Sequence, residues 1–282
     1  MKKNNHPTNY SLQQINQSKK AHNLAKMDLN KLSTDEVSFI KKHYAGRQAF
    51  MGFYTDQTLS KFMYNLLNPH KGSLLDPCCG TGRLIENVDF NNLTVTCFEI
   101  DRKSALLCDF FYSKAKVVVC DALLQKDNVC DKYDYFIANP PWGLRVSGYE
   151  NYSMQHQNIE NCSTALFLEL CISALKGNGL GVIAVPSSFF TNDFALAYEY
   201  LVRTTTILAK INFPSNAFYN SNILVSGSIL LIYKGEVKNK CFEYTIYSSD
   251  WNIYDSDYNE ALLHQVITLY KQHVSRQFRF SN

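Results

Sequence analysis

The chain has 282 residues, of which 46% are hydrophobic, and this size fits one large domain with at most a small appendage. Its net charge of +3 is too small to indicate a nucleic-acid-binding protein by itself. Nine scattered cysteines without a CxxC pair favour a reducing, cytoplasmic compartment and argue against zinc, so we expect no metal. The N-terminus lacks the apolar core of a signal peptide, and no apolar run is long enough to span a membrane.

Residues 1–45 are polar, and we expect them to form a partly helical N-terminal arm. The pattern Ser33-Thr34-Asp35-Glu36 is typical of a capping box and predicts a helix start. Apolar residues at helical spacing predict a further helix over 56–67. Beyond it, predicted strands and helices alternate. The predicted strands are 74–75, 93–98, 117–119, 133–138, 180–185, 206–211, 226–233 and 241–247, and the helices are 103–112, 164–175, 194–202 and 259–274.

Strands that are separated by helices predict an α/β fold with a mostly parallel sheet covered on both faces. The late strands have little helix between them, so we expect an antiparallel strand at that edge. We predict a seven-stranded sheet with one antiparallel edge strand. The catalytic domain is predicted over residues 46–250, followed by a helical tail over 251–282 with no separate target-recognition domain.

A glycine turn follows the first predicted strand, in Asp76-Pro-Cys78-Cys-Gly80-Thr-Gly82. Open α/β sheets bind ligands at such strand ends, and glycines let a ligand approach the backbone closely. A dinucleotide site would need a third glycine, and Ile85 stands at that position. The acid before the turn instead suits a ligand that carries a positive charge, such as an amino group or a sulfonium.

Two more acids end the next two predicted strands. Glu99 is placed to take both hydroxyls of a ribose, and Asp121 to accept a hydrogen bond from the exocyclic amine of adenine. Acids at strand ends are often simple helix N-caps. Three of them on successive strands favour a pocket for S-adenosylmethionine, with Cys78, Ile100 and Ala122 as neighbouring contacts.

A stiff corner, Asn139-Pro140-Pro141-Trp142, ends the fourth predicted strand beside the same pocket. Prolines fix φ and remove N–H donors, so backbone carbonyls stay available as acceptors. An exocyclic amine held by Asn139 Oδ1 and the Pro140 carbonyl would present its nitrogen lone pair to a methyl donor. We expect Trp142 to be exposed and to stack on the ring that carries the amine. A proline corner with a buried tryptophan is the structural alternative.

These two motifs together resemble the N6-adenine DNA methyltransferases, which are class I, Rossmann-like S-adenosylmethionine-dependent enzymes. The stretch Gly52-Phe53-Tyr54-Thr55-Asp56 resembles the Phe-Tyr-Thr-Pro element of the γ type and of type I restriction-modification subunits, with Asp56 in place of the usual proline. The resemblance implies that Asp76 and Thr55 contact the methionine portion of the cofactor. Phe53 belongs to the same element as a cofactor-binding candidate, and a position in the core is the alternative for it. The resemblance also implies that Phe218, in a later matching stretch, packs on the flipped adenine.

The resemblance leaves the target open, because the same corner serves adenine or guanine in RNA and glutamine in proteins. DNA is the leading prediction and RNA the alternative. A non-catalytic subunit that binds S-adenosylmethionine or nucleic acid is the remaining hypothesis. The short C-terminal region predicts a minimal catalytic core. Its recognition depends on a partner or specificity subunit, with weak recognition or a target other than duplex DNA as the alternatives. We expect no membrane partner.

Overall fold

The computed structural model describes residues 12–44, 55–149, 151–153, 162–191, 194–217, 226–237, 241–252 and 255–279. Within these ranges the chain forms one eight-stranded sheet and eight α-helices. The strands are β1 Gly72–Asp76, β2 Leu93–Glu99, β3 Lys116–Val119, β4 Tyr133–Ala138, β5 Leu175–Pro186, β6 Thr206–Phe213, β7 Gly227–Tyr233 and β8 Phe242–Thr245. The helices are α1 Leu12–Leu24, α2 Thr34–His43, α3 Gln57–Leu67, α4 Arg102–Phe111, α5 Lys126–Val129, α6 Ser163–Ala174, α7 Ala195–Thr204 and α8 Ser256–Arg279.

The strand order is β3-β2-β1-β4-β5-β7-β6-β8. Strands β1 to β5 pair in parallel, β7 runs antiparallel to both β5 and β6, and β8 pairs in parallel with β6. The predicted α/β fold class is confirmed, with eight strands where seven were expected. The antiparallel strand is β7, which lies between β5 and β6, whereas an edge position was expected for it. The eighth strand is β8, which lies within the predicted strand 241–247 and joins the same sheet beside β6.

Each face of the sheet is buried under helices, as parallel sheets require. The side chain of Leu74 packs in a core with α3 and α8, and that of the next residue, Leu75, packs in a second core with α6 and α7. This alternation follows from the two-residue period of a strand. Among the described residues, no helix is both long and apolar enough to cross a membrane.

Helix α3 shows why Asp56 replaces the expected proline. Its carboxylate accepts a hydrogen bond from Leu59 N at 2.8 Å and so forms the N-cap, a role that proline cannot fill. The helix ends at Asn68, which adopts the left-handed conformation typical of a helix terminus. The N-cap that fixes the start of α3 therefore directly follows Thr55.

The segments outside the predicted catalytic domain also pack against it. The predicted capping box at Ser33 and Glu36 is present and begins α2. Helices α1 and α2 share a small core with Leu107 of α4. Helix α8 buries Val266 at 1% exposure in the core beneath α3. The division into arm, catalytic domain and tail stays a prediction.

Candidate functional site

Four polar residues stand at the carboxyl ends of four neighbouring strands. Asp76 ends β1, Glu99 ends β2, Asp121 follows β3 by two residues, and Asn139 directly follows β4. Because these strands lie side by side in the order β3-β2-β1-β4, the four residues share one edge of the sheet. Ligands bind at this edge in open α/β sheets.

A cavity of about 270 Å³ opens at this edge, close to the lower end of the range for small-molecule sites, ~300–1,000 Å³. Carboxylates and apolar side chains line it together. Nine predicted site residues are among its lining: Thr55, Cys78, Gly80, Glu99, Ile100, Asp121, Ala122, Asn139 and Pro141.

The other described site residues, Asp76, Gly82, Pro140 and Trp142, are buried next to lining residues in the chain. The remaining two predictions, Phe53 and Phe218, lie outside the described residues. The structure therefore brings together every predicted residue that it describes, in two layers. The nine lining residues form the layer that faces the cavity, and the four buried residues lie directly behind them.

The glycine turn is shaped by backbone conformations that favour glycine. Gly80 and Gly82 have φ of 56° and 87°. A Cβ on Gly82 would lie 2.6 Å from the ring of Tyr112, so a larger residue does not fit there. Gly80 N donates to Glu99 Oε2 at 2.8 Å, which ties the turn to the end of β2.

Asp76 is fully buried at the base of the turn, with 0% exposure. Its Oδ1 accepts from Cys78 N at 3.2 Å. No donor among the described residues reaches its Oδ2. Burial raises the pKa of this carboxyl well above its usual range, and the nearby thiol and carboxyl groups of Cys108 and Glu99 add to the effect. A hydrogen-bond donor or a cation placed beside Oδ2 would therefore stabilise this carboxyl group.

Glu99 and Asp121 are positioned by backbone N–H groups. Glu99 Oε1 accepts from Asp101 N at 2.7 Å, and burial raises the pKa of the Glu99 carboxyl. Asp121 Oδ1 accepts from Leu123 N at 3.0 Å, while Oδ2 accepts from the hydroxyl of Tyr149 at 2.7 Å. Both carboxylates thus face the cavity in fixed orientations.

The corner after β4 is braced from two sides. Asn139 is 8% exposed and its Nδ2 donates to Thr55 Oγ1 at 2.9 Å. The hydroxyl of Ser163, at the start of α6, donates to the Pro141 carbonyl at 2.6 Å. Thr55, just before the N-cap of α3, therefore holds the amide, and the first residue of α6 holds the corner.

The prediction that the Trp142 indole is exposed is wrong. The side chain is only 6% exposed and belongs to the core. Its Nε1 donates to the Ala184 carbonyl on β5 at 3.1 Å. Since an indole N–H needs a partner when it is buried, this bond explains how the ring is accommodated. Its role in stacking on a base stays a prediction.

Sequence reasoning missed several lining residues, because the chain brings them back from distant positions. Tyr149 and Val146 come from the segment after the corner, and Ser163 and Phe167 from α6. Helix α6 itself was predicted, over 164–175, but its sequence does not show that its first turn lies beside the corner. Tyr149 has no local pattern that distinguishes it from an ordinary surface tyrosine.

Three cysteines meet behind the glycine turn although they are dispersed in the sequence. Within the described part of the chain, Cys79, Cys97 and Cys108 place their Sγ atoms within 4.8 Å of one another, all buried. Three thiols are one fewer than the four ligands of a structural zinc site. They lie among apolar side chains of the core. The expectation of no metal stays a prediction.

Comparisons with known proteins agree on the fold. The family model for N-6 DNA Methylase matches residues 34–273. The modification methylase CviBIII of Paramecium bursaria Chlorella virus NC1A is 28% identical over 200 residues, which cover 68% of this chain and 52% of that protein. The type I restriction-modification methyltransferase subunit of Streptococcus thermophilus has a TM-score of 0.67 at 17% identity, covering 88% of this chain and 60% of that one.

A third similar protein matches over nearly its whole length. It is a Listeria monocytogenes protein classed as a class I S-adenosylmethionine-dependent methyltransferase, with a TM-score of 0.64 at 18% identity over 93% of this chain and 92% of that one. By contrast, the present chain spans about half the length of the curated relatives that it matches. The structural likenesses show the fold.

Proposed function

Because the chain belongs to the N-6 DNA methylase family, we propose that it transfers a methyl group from S-adenosylmethionine to the exocyclic N6 of adenine in DNA. The observation that carries this proposal is the position of Asn139. Its amide lies at the cavity that the acidic strand ends line, and Thr55 holds it at 2.9 Å. An amide acceptor beside a cofactor-sized cavity is what methylation of an amine requires.

The residues that line the cavity, and Asp76 buried directly behind them, fit this cofactor. Asp76 Oδ2 has no donor among the described residues, so a cationic group of the ligand would supply the missing partner. Glu99 faces the cavity from the end of β2, where a ribose is expected. Ile100 lines the same cavity and is 59% exposed, which suits an apolar side chain that a ligand covers.

The protein's own contribution is positioning. S-adenosylmethionine, when bound, supplies an electrophilic methyl group. Asn139 Oδ1 and the Pro140 carbonyl accept the two hydrogens of the target amine and so orient its lone pair. Positive charge develops on the amine nitrogen during transfer, and both acceptors stabilise it. The N–CH3 bond would form as the S–CH3 bond breaks, with S-adenosylhomocysteine as the leaving group. No side chain needs to remove a proton before the attack, because the methylated nitrogen is acidic and releases its proton to water afterwards.

DNA is the proposed target because the order of elements resembles the γ type, and because the relatives include a modification methylase and a restriction-modification subunit. Target recognition is proposed to come from a partner or specificity subunit. The packing of α8 supports this, since its buried residues Leu263, Val266 and Ile267 belong to the core beneath α3. All nine cysteines are free thiols, in keeping with a proposed cytoplasmic location.

The test uses the purified full chain with radiolabelled S-adenosylmethionine and separate pools of unmethylated DNA, RNA and protein. We expect label in DNA, recovered as N6-methyladenine after digestion, and a loss of that label in the Asn139→Ala variant. The variant should still bind S-adenosylhomocysteine, which shows that it is folded. Label confined to RNA or to protein glutamine would contradict the choice of DNA. Cofactor binding without any turnover would favour the non-catalytic alternative.

A further inference from the structure

We infer that Tyr149 is a specificity-determining residue that acts with Asp121 to select the 6-amino group of the cofactor's purine. This inference rests on the proposed function. The Tyr149 hydroxyl donates to Asp121 Oδ2 at 2.7 Å, and both residues line the cavity. Asp121 stands at the β3 end of the site, where the adenine is expected.

The hydrogen-bond arrangement explains the selection. The second oxygen of Asp121 already accepts from Leu123 N at 3.0 Å, so the orientation of the carboxylate is fixed. The proton of Tyr149 is committed to the carboxylate, so its oxygen presents only lone pairs to other groups. The pair therefore offers acceptors and no donor. An amino group at C6 donates to such a pair, whereas a 6-oxo group would face it with a further acceptor.

Burial, together with the bond to Asp121, raises the pKa of Tyr149 to about 12. The phenol therefore stays protonated at neutral pH and keeps its role as donor to the carboxylate. The acceptor pair is thus present under ordinary assay conditions.

Neighbouring contacts hold the segment of Tyr149 in place. The hydroxyl of Tyr152, a residue with 0% exposure, donates to the Leu123 carbonyl at 2.8 Å. Lys126 Nζ donates to the Asn151 carbonyl at 2.7 Å and pairs with the buried Glu169 at 2.5 Å. The chain after Tyr149 is thereby fastened to the turn after β3 and to α6. Such anchoring pre-positions the hydroxyl before a ligand arrives.

The experiment compares two cofactor products by calorimetry on the full chain: S-adenosylhomocysteine and S-inosylhomocysteine, which carries a 6-oxo group. We expect the wild type to bind the adenosyl compound at least tenfold more tightly. Tyr149→Phe removes the hydroxyl and its hydrogen bond to Asp121. It should reduce that ratio about threefold to tenfold, the scale of one lost hydrogen bond. Tyr233→Phe is the matched control, because its hydroxyl bonds Asn178 at 2.6 Å at the opposite end of the sheet. It should leave the ratio unchanged.

A second variant keeps the inference testable if Tyr149→Phe does not fold. Asp121→Asn can donate from its amide to the tyrosine oxygen, which releases the hydroxyl proton toward the cavity. We expect this variant to bind the inosyl compound relatively better than the wild type does. A wild-type ratio in either variant, or equal loss of both ligands in Tyr149→Phe, overturns the inference while the proposed function stands. A wild type that binds neither compound overturns both.

Discussion

Replacing Thr55 with valine tests how the methyl-transfer site is held. Thr55 is 9% exposed and Asn139 is 8% exposed, so their 2.9 Å hydrogen bond is shielded from water. Valine keeps the shape of threonine but removes the acceptor. Losing a buried bond of this kind costs about 1–3 kcal/mol. The Asn139 amide would then rotate to find another acceptor for Nδ2, and this rotation would move Oδ1 away from its position facing the target amine. We expect kcat to fall roughly 5- to 150-fold.

The assay is initial-rate methylation of unmethylated DNA, with S-adenosylhomocysteine binding measured in parallel. Thr55→Ser keeps the hydroxyl and should retain most of the activity. The resemblance to the γ type implies a different outcome, in which Thr55 contacts the methionine end and the main loss is cofactor affinity. Two results would refute the claim that the Thr55 hydroxyl orients the Asn139 amide. One is a Thr55→Val variant with wild-type kcat, and the other is a Thr55→Ser variant as impaired as Thr55→Val.

Asn139→Ala should abolish measurable transfer while cofactor-product affinity stays largely intact, and near-normal turnover would contradict its proposed role. Glu99→Ala should weaken binding of that product by about 1–3 kcal/mol, because the glycine turn also loses its tie at Gly80 N. Burial raises the pKa of Asp76 in the folded, cofactor-free protein. Its contribution to stability is therefore fully present below the pKa of the unfolded chain, about 4, and is lost as the pH rises through the pKa of the folded protein. Thermal melts from pH 4 upward should fall more steeply for the wild type than for Asp76→Asn, and parallel curves would contradict this. Trp142→Phe leaves the Ala184 carbonyl without its indole donor and should lower the melting temperature by roughly 2–8 °C, for a loss of about 1–2 kcal/mol, as followed by calorimetry.

The fold and the main features of the site could be predicted because they depend on chain order. An acid or amide at the end of each early strand is visible in the sequence, and parallel strands bring such ends to one edge. Asp76, Glu99, Asp121 and Asn139 were found in this way. The predicted resemblance to the N6-adenine methyltransferases is confirmed by the family match over residues 34–273.

What could not be predicted depends on contacts between distant segments. The sequence shows that Trp142 follows two prolines, but the carbonyl on β5 that receives its N–H is 42 residues away. Likewise, the acceptor for the Tyr149 hydroxyl lies 28 residues earlier in the chain. Such pairings have no periodic signature, and only the packed structure reveals them.

The burial of Trp142 also bears on how the corner works. Strand β4 enters it through Ile137 and Ala138, both at 0% exposure, so the backbone before Asn139 is fixed in the core. The indole anchors the other side to β5, and Ser163 holds the carbonyl of Pro141 between them. An amide fixed on both sides loses little further freedom when a target amine binds. A rigid acceptor is what catalysis by positioning requires, since a misplacement of about 1 Å can cost a hundredfold in rate. The buried tryptophan therefore supports the proposed chemistry through the backbone, whether or not its ring meets the target base.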